Sequence, residues 1–180
     1  MDQTIPVTDE QRLRYYHSRL LEIKDFNDAF ELVKMAVNEK FKMHRAGLSL
    51  ILQGLPTNLG AYHVLGSNMI IMNKKILDII RKNKSEKEYN SYLFMVLAHE
   101  YLHSFGIIDE LHVRNMTYDL CTSLFGENHL SSIMARYQPW SVFPELNLYT
   151  NGDGNNNINS FDKSFEIIKN FDKTTQYYIH

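Results

Sequence analysis

Residues 92–103 read Tyr92-Leu93-Phe94-Met95-Val96-Leu97-Ala98-His99-Glu100-Tyr101-Leu102-His103, an apolar run that passes directly into His-Glu-x-x-His. On an α-helix, residues four apart lie on one face, so His99 and His103 can offer ring nitrogens to a single metal ion. Glu100 stands about 100° further round the helix. From there it can reach a water at that metal instead of sharing the ligand position. Two imidazoles beside an open position suit catalytic Zn²⁺, and the adjacent carboxylate supplies a general base. The stretch therefore predicts a buried helix that carries a metal-assisted hydrolase site, with peptides as the expected substrates. Gly106 follows where a left-handed residue would close the helix.

Upstream, Ser85-x-x-Glu88 has the spacing of a capping box for this helix, while residues 81–90 otherwise read as a polar, solvated loop. Thr8-Asp9-Glu10-Gln11 has the same spacing and predicts an amphipathic helix to about Ile23. A second helix begins near Asp25 or Asn27, with Phe26, Phe30, Val33, Val37 and Phe41 forming a core stripe and Gly47 ending the segment. His44-Arg45 reads as a solvated helix terminus. Leu48 to Leu52 reads as a buried strand, Gly60 to Met72 as a hairpin or bent edge strand, and Asn73 as the cap of a short helix to about Lys82.

Downstream, Asp109 is a good N-cap for a helix from Glu110 to about Phe125, and Gly126 separates it from a short helix through Ser131 to Tyr137. This order predicts an α+β fold: a small mixed sheet packed on a backing helix and on the motif helix, followed by further helices. Pro139 and Pro144 mark a change, so the expected division is a catalytic domain over 1–138, with 1–24 as an extra N-terminal helix, and a C-terminal extension over 139–180. Phe161 to about Phe171 reads as a last amphipathic piece.

Composition narrows the function classes. A chain of 180 residues can bury one sizeable core. Nineteen basic against 21 acidic residues give a net charge of −2, so nucleic acid is not an expected partner. The single cysteine, Cys121, forms no intrachain disulfide and fits a reducing compartment. Met1 to Glu10 lacks the features of a secretory leader, and no apolar run suffices to span a bilayer. A soluble, cytoplasmic protein is expected.

A catalytic zinc needs a third protein ligand, and two positions compete. His112 falls in the first turn of the next helix, whereas Asp109 completes His-Glu-x-x-His-x-x-Gly-x-x-Asp. Asp109 cannot easily cap a helix and bind zinc together, and imidazole is the better zinc donor, so His112 is favoured. Asp119 can orient His112, and Glu110, Glu127 and His129 rank behind as ligands. Tyr118, Tyr137, Arg114 and His129 are all candidates for stabilising the transition state.

With these residues in view, the chain resembles the zincin-type metallopeptidases, and most of all the small archaeal minigluzincins. The resemblance spans roughly residues 26–138 and rests on His99-Glu100-Tyr101-Leu102-His103, Ser104-Phe105-Gly106, Asp109-Glu110-Leu111-His112-Val113-Arg114 and the Gly60–Met72 stretch. It implies an edge strand that holds an extended substrate by main-chain hydrogen bonds, with a third ligand on the helix after the motif. The gluzincin pattern has a glutamate there, at the place read here as His112. A metzincin likeness also exists: Gly106 and Asp109 fit its longer motif, and Ser132-Ile133-Met134 resembles its Met-turn, but residues 110–125 read as continuous helix where that family is irregular.

Under either likeness Glu100 takes a proton from the attacking water and returns it to the leaving amine. A zinc-dependent RNA hydrolase and a non-catalytic zinc-binding module are the rival readings. The tail adds two expectations. Residues 151–162 follow the oxygen spacing of a calcium loop, though few of them are charged. Trp140, Phe143 and Tyr177-Tyr178 could plug the cleft and make the extension autoinhibitory.

Overall fold

The computed structural model describes residues 8–147 and 164–172. In chain order the elements are α1 (Asp9–Leu21), α2 (Phe26–Phe41), β1 (Ser49–Gln53), β2 (Ala61–His63), β3 (Met69–Asn73), α3 (Lys74–Asn83), α4 (Glu86–His103), α5 (Glu110–Phe125), α6 (Leu130–Tyr137), a 3₁₀ turn (Pro139–Ser141) and β4 (Phe165–Ile167). This is an α+β architecture with one small mixed sheet of order β2-β3-β1-β4. β1 and β3 run parallel in the centre, and β2 and β4 lie antiparallel on the two flanks.

Local chemistry sets the helix starts. Thr8 accepts from the Gln11 amide, Asp25 from Asp28, Asn73 from Lys75 and Asp109 from His112, each satisfying a donor that the first helical turn leaves free. Ser85 and Glu88 form a reciprocal capping box. That box starts α4 at Glu86, and α3 extends to Asn83, so the loop expected over 81–90 shrinks to a tight corner. Most of the polar residues there lie on the helix surfaces, while Asn90 is buried and donates to the Leu20 and Ile23 carbonyls at the end of α1.

α4 is the centre of the molecule. Its residues from Tyr89 to Ala98 are all buried, as are Glu100, Tyr101 and Leu102. It packs on α2, α5, α6 and α1, and its C-terminal half faces β2. Phe30 on α2 meets Tyr101 edge to face at 5.2 Å, and Phe94 meets Phe125 in the same way at 5.1 Å. Burial of this continuous apolar stripe, at about 25 cal/mol per Å², drives the assembly.

Arg45 is no solvated terminus. Its guanidinium donates to the Ser104 carbonyl at the end of α4, and to the Ser67 carbonyl (3.1 Å) and Asn68 Oδ1 (2.5 Å) in the β2–β3 turn. Its own backbone is gripped by the Tyr101 hydroxyl, which accepts from the amide and donates to the carbonyl. One side chain thus ties the end of the motif helix to the edge hairpin.

The described residues beyond 138 are built into the same core. Phe143 and Leu146 are buried. Phe165–Ile167, within the piece read as amphipathic, pairs as a strand with β1. Phe171 then stacks on Phe30 at 4.3 Å. Asp172 is buried, pairs with Lys34 at 2.7 Å and accepts from the Gly47 and Leu48 amides. The calcium-loop spacing at 151–162 and the Tyr177-Tyr178 pair lie outside the described residues. No helix among the described residues is long and apolar enough to cross a membrane.

Candidate metal centre

His99 and His103 sit on one face of α4, half-buried, with their Nε2 atoms 3.2 Å apart. The third group at this point is Glu110, the first residue of α5. Its Oε1 lies 3.2 Å from His99 Nε2 and its Oε2 3.1 Å from His103 Nε2. Among the described residues these three form the one His/Cys/Asp/Glu group able to hold a metal ion.

The turn between α4 and α5 makes this possible. Gly106 adopts φ 86°, a left-handed conformation that reverses the chain. Across the turn the Ile107 carbonyl lies 2.7 Å from His103 Nδ1. A carbonyl can only accept, so Nδ1 is the donor and Nε2 is left facing the site.

The donor set fits a small divalent cation. Two imidazole nitrogens and a carboxylate oxygen, each about 2.0–2.1 Å from a tetrahedral ion, stand about 3.3 Å apart. Here the two Nε2 atoms are 3.2 Å apart, and each faces its own oxygen of the Glu110 carboxylate, His99 with Oε1 at 3.2 Å and His103 with Oε2 at 3.1 Å. Two lone pairs and an anion held that close repel one another unless a cation or proton lies among them. Burial and the neighbouring His103 lower the pKa of His99, while Glu110 opposes them. Three ligands from protein leave a position open, as a catalytic site requires.

Glu100 stands beside this trio without joining it. It is buried at 5% exposure, and its Oε2 meets no hydrogen-bond partner among the described residues. Desolvation first, then the charge of Glu110, lifts its pKa to about 8, against a hydrogen bond from the His63 backbone on β2. An orphaned carboxylate oxygen beside a trio of donors is costly to keep for packing alone, and it is what a proton-transfer group needs.

The structure brings His99, His103 and Glu100 together but leaves His112 outside the group. With 100° per residue, His112 points to the far side of α5 from Glu110, and it is exposed. Asp109 is occupied as the N-cap, its Oδ1 accepting from the His112 amide at 2.6 Å. His129 is remote: it caps α6 and stacks on Phe125. Asp119 pairs with Lys40 at 3.1 Å. The signal for Glu110 was present in the sequence as a carboxylate seven residues after His103, at a helix start.

A cleft of about 280 Å³ opens beside the trio, lined among others by His99, Glu100, Glu110, Arg114, Met134 and Trp140. Leu59-Gly60-Ala61, leading into the edge strand β2, forms another wall. Trp140 is thus in the cleft wall, whereas Phe143 is in the core. A larger cleft of about 720 Å³ lies around the other end of α4, near Arg81, Lys84 and Tyr89. Two of its cations already have partners, Lys84 with Glu145 at 2.8 Å and Arg81 over the Tyr89 ring.

Comparison of the chain with protein-family models, with curated proteins and with solved structures finds no match.

Proposed function

We propose that this protein is a zinc metallopeptidase of gluzincin type, with His99, His103 and Glu110 as ligands and Glu100 as general base and acid. The observation that carries the reading is the placement of the Glu110 carboxylate within 3.2 Å of both histidine Nε2 atoms, with the buried Glu100 alongside. A nitrogen–nitrogen–carboxylate set with an open position is the donor set of catalytic zinc peptidases. A bound zinc would polarise the substrate carbonyl and the attacking water, and its charge would draw the Glu100 carboxyl towards the ionised form.

The chain's own residues do the rest. Glu100 takes the proton of the attacking water and passes it to the leaving amine. His103 is held in one tautomer by the Ile107 carbonyl. Among the described residues β2 is an edge strand, and it borders the cleft at Gly60 and Ala61, where an extended peptide would pair with its main chain. A peptide is favoured over RNA by the apolar walls of Met95, Val96, Met134 and Trp140.

The test is cleavage of a mixed peptide library by the zinc-loaded protein, followed by mass spectrometry. Chelation should abolish cleavage and zinc should restore it. Glu100→Gln should keep the metal and lose turnover by at least about 100-fold. Undiminished turnover in that variant, or a zinc-loaded protein that cuts no peptide, would overturn the proposal.

A further inference from the structure

Arg114 lies one turn after Glu110 on the same face of α5, about 6 Å further along the helix, and lines the cleft. It is half-buried. Among the described residues its one hydrogen bond runs from Nη2 to the Arg136 carbonyl at 3.4 Å, a long contact to an uncharged acceptor. Neither cleft carboxylate serves it: Glu110 faces the two imidazoles, and Glu100 is held by the His63 backbone. The neighbouring cation, Arg136, is itself turned onto the Tyr118 and Tyr137 rings, 5.5 and 5.2 Å from their centroids.

Among the described residues no carboxylate pairs with the Arg114 guanidinium, which leaves it short of a counter-charge in a partly apolar cleft. We propose that Arg114 is the substrate-recognition residue of this site, receiving a carboxylate one or two residues beyond the bond that is cut. The proposal rests on the peptidase reading above. A planar fork of N–H donors matches a carboxylate at both oxygens. A peptide carbonyl would satisfy part of the fork and leave the charge uncompensated. A phosphate dianion fits less well, because Met95, Val96, Met134 and Trp140 supply apolar walls and, among the described residues, Arg114 is the only Lys or Arg lining the cleft. An extended chain advances about 3.3–3.6 Å per residue, so one or two residues span the 6 Å from Glu110 to Arg114. The carboxylate is either the free C-terminus of a short peptide or an acidic side chain.

The experiment is calorimetric binding to the zinc-loaded Glu100→Gln protein, which holds peptides without cutting them. Three N-acetylated apolar dipeptide probes are compared: the free acid, its C-terminal amide, and an amide carrying glutamate at the second residue. The acid should bind at least about tenfold more tightly than the plain amide. Arg114→Leu in the same background should erase that preference while keeping one zinc per chain and an unchanged Tm. A preference confined to the acid identifies the C-terminus; a preference shared by the glutamate amide identifies the side chain. Equal binding of acid and plain amide, binding of neither, or a preference that survives Arg114→Leu overturns the proposal. Acid-selective, Arg114-dependent binding by a chain that cleaves nothing would remove the peptidase reading and leave the carboxylate site. Cleavage without the preference would do the reverse.

Discussion

The His103 Nδ1 atom donates to the Ile107 carbonyl at 2.7 Å, across the turn that leads from α4 into α5. One imidazole therefore has two duties: its Nε2 faces the site, and its Nδ1 pins the turn that delivers Glu110 to that site. The second histidine and the carboxylate are coupled through three residues of backbone, so disturbance of either should be felt by the other.

Glu110→Ala should weaken zinc binding by more than about 100-fold, since loss of a ligand exceeds the 10–100-fold typical of its supporting partners. His112→Ala should leave binding unchanged. Zinc content by elemental analysis, with competition titration for affinity, separates them. Retention in Glu110→Ala together with loss in His112→Ala would transfer the third ligand to His112.

The raised pKa of Glu100 makes a prediction about the metal-free protein. In the unfolded chain the carboxyl ionises near its ordinary value of 4.5; folded, it holds its proton to about 8. The folded state thus binds the extra proton between these limits, and stability falls as pH rises through that window. Glu100→Gln removes this penalty and should stabilise the metal-free protein by about 3 kcal/mol at pH 7, and by well under half of that at pH 5. Urea unfolding at the two pH values checks it. A Gln variant no more stable than wild type at pH 7 would contradict it.

His129 works in the opposite pH direction. Burial first, then His17 and Lys87, pushes its pKa down to about 4, so the fold holds the ring neutral. Below about 6.5 the unfolded chain takes up a proton that the folded chain refuses, and stability drops by about 2 kcal/mol by pH 5 and about 3 kcal/mol by pH 4. His129→Asn keeps a good N-cap for α6 and removes the titrating ring. Its Tm should depend less on pH between 7 and 5 than that of wild type. Identical pH slopes for the two proteins would refute the assignment.

A methyl group at Gly60 would stand 3.0 Å from the Tyr92 hydroxyl. Tyr92 is buried at 1% exposure and cannot swing away. Gly60→Ala should cost about 1–3 kcal/mol through overpacking. Tyr92→Phe, which removes the oxygen concerned, should recover part of that loss in the double variant. Strict additivity of the two changes in a thermal-unfolding cycle would show that the close approach is harmless.

Asp172→Ala should cost about 3 kcal/mol, because it strips Lys34 of a buried carboxylate partner and frees the Gly47 and Leu48 amides. Chemical denaturation measures it; a loss under about 0.5 kcal/mol would mean that the other partners of Lys34, Glu31 among them, suffice.

What the sequence discloses here is mostly local. Thr8, Ser85 with Glu88, Asn73 and Asp109 announce their helices because a cap acts on amides two or three residues away. His99, Glu100 and His103 share a helix, so their spacing carries their geometry. Glu110 was harder to read because its position depends on how α5 crosses α4 after Gly106, and ligand preference alone pointed to His112. The same holds for Arg45, whose partners Ser67, Asn68 and Ser104 lie in two other elements. β4 was obscured for another reason: Phe165 and Ile167 are 63% and 59% exposed, so the strand bears no buried pattern and is held by main-chain pairing.

The return of the chain to β1 and α2 gives the molecule a closed loop in topology. Leu146 is fixed in the core before residues 148–163, and β4, Phe171 and Asp172 are fixed after them. A single cut within 148–163 would therefore yield two fragments that stay docked, one complementing the other.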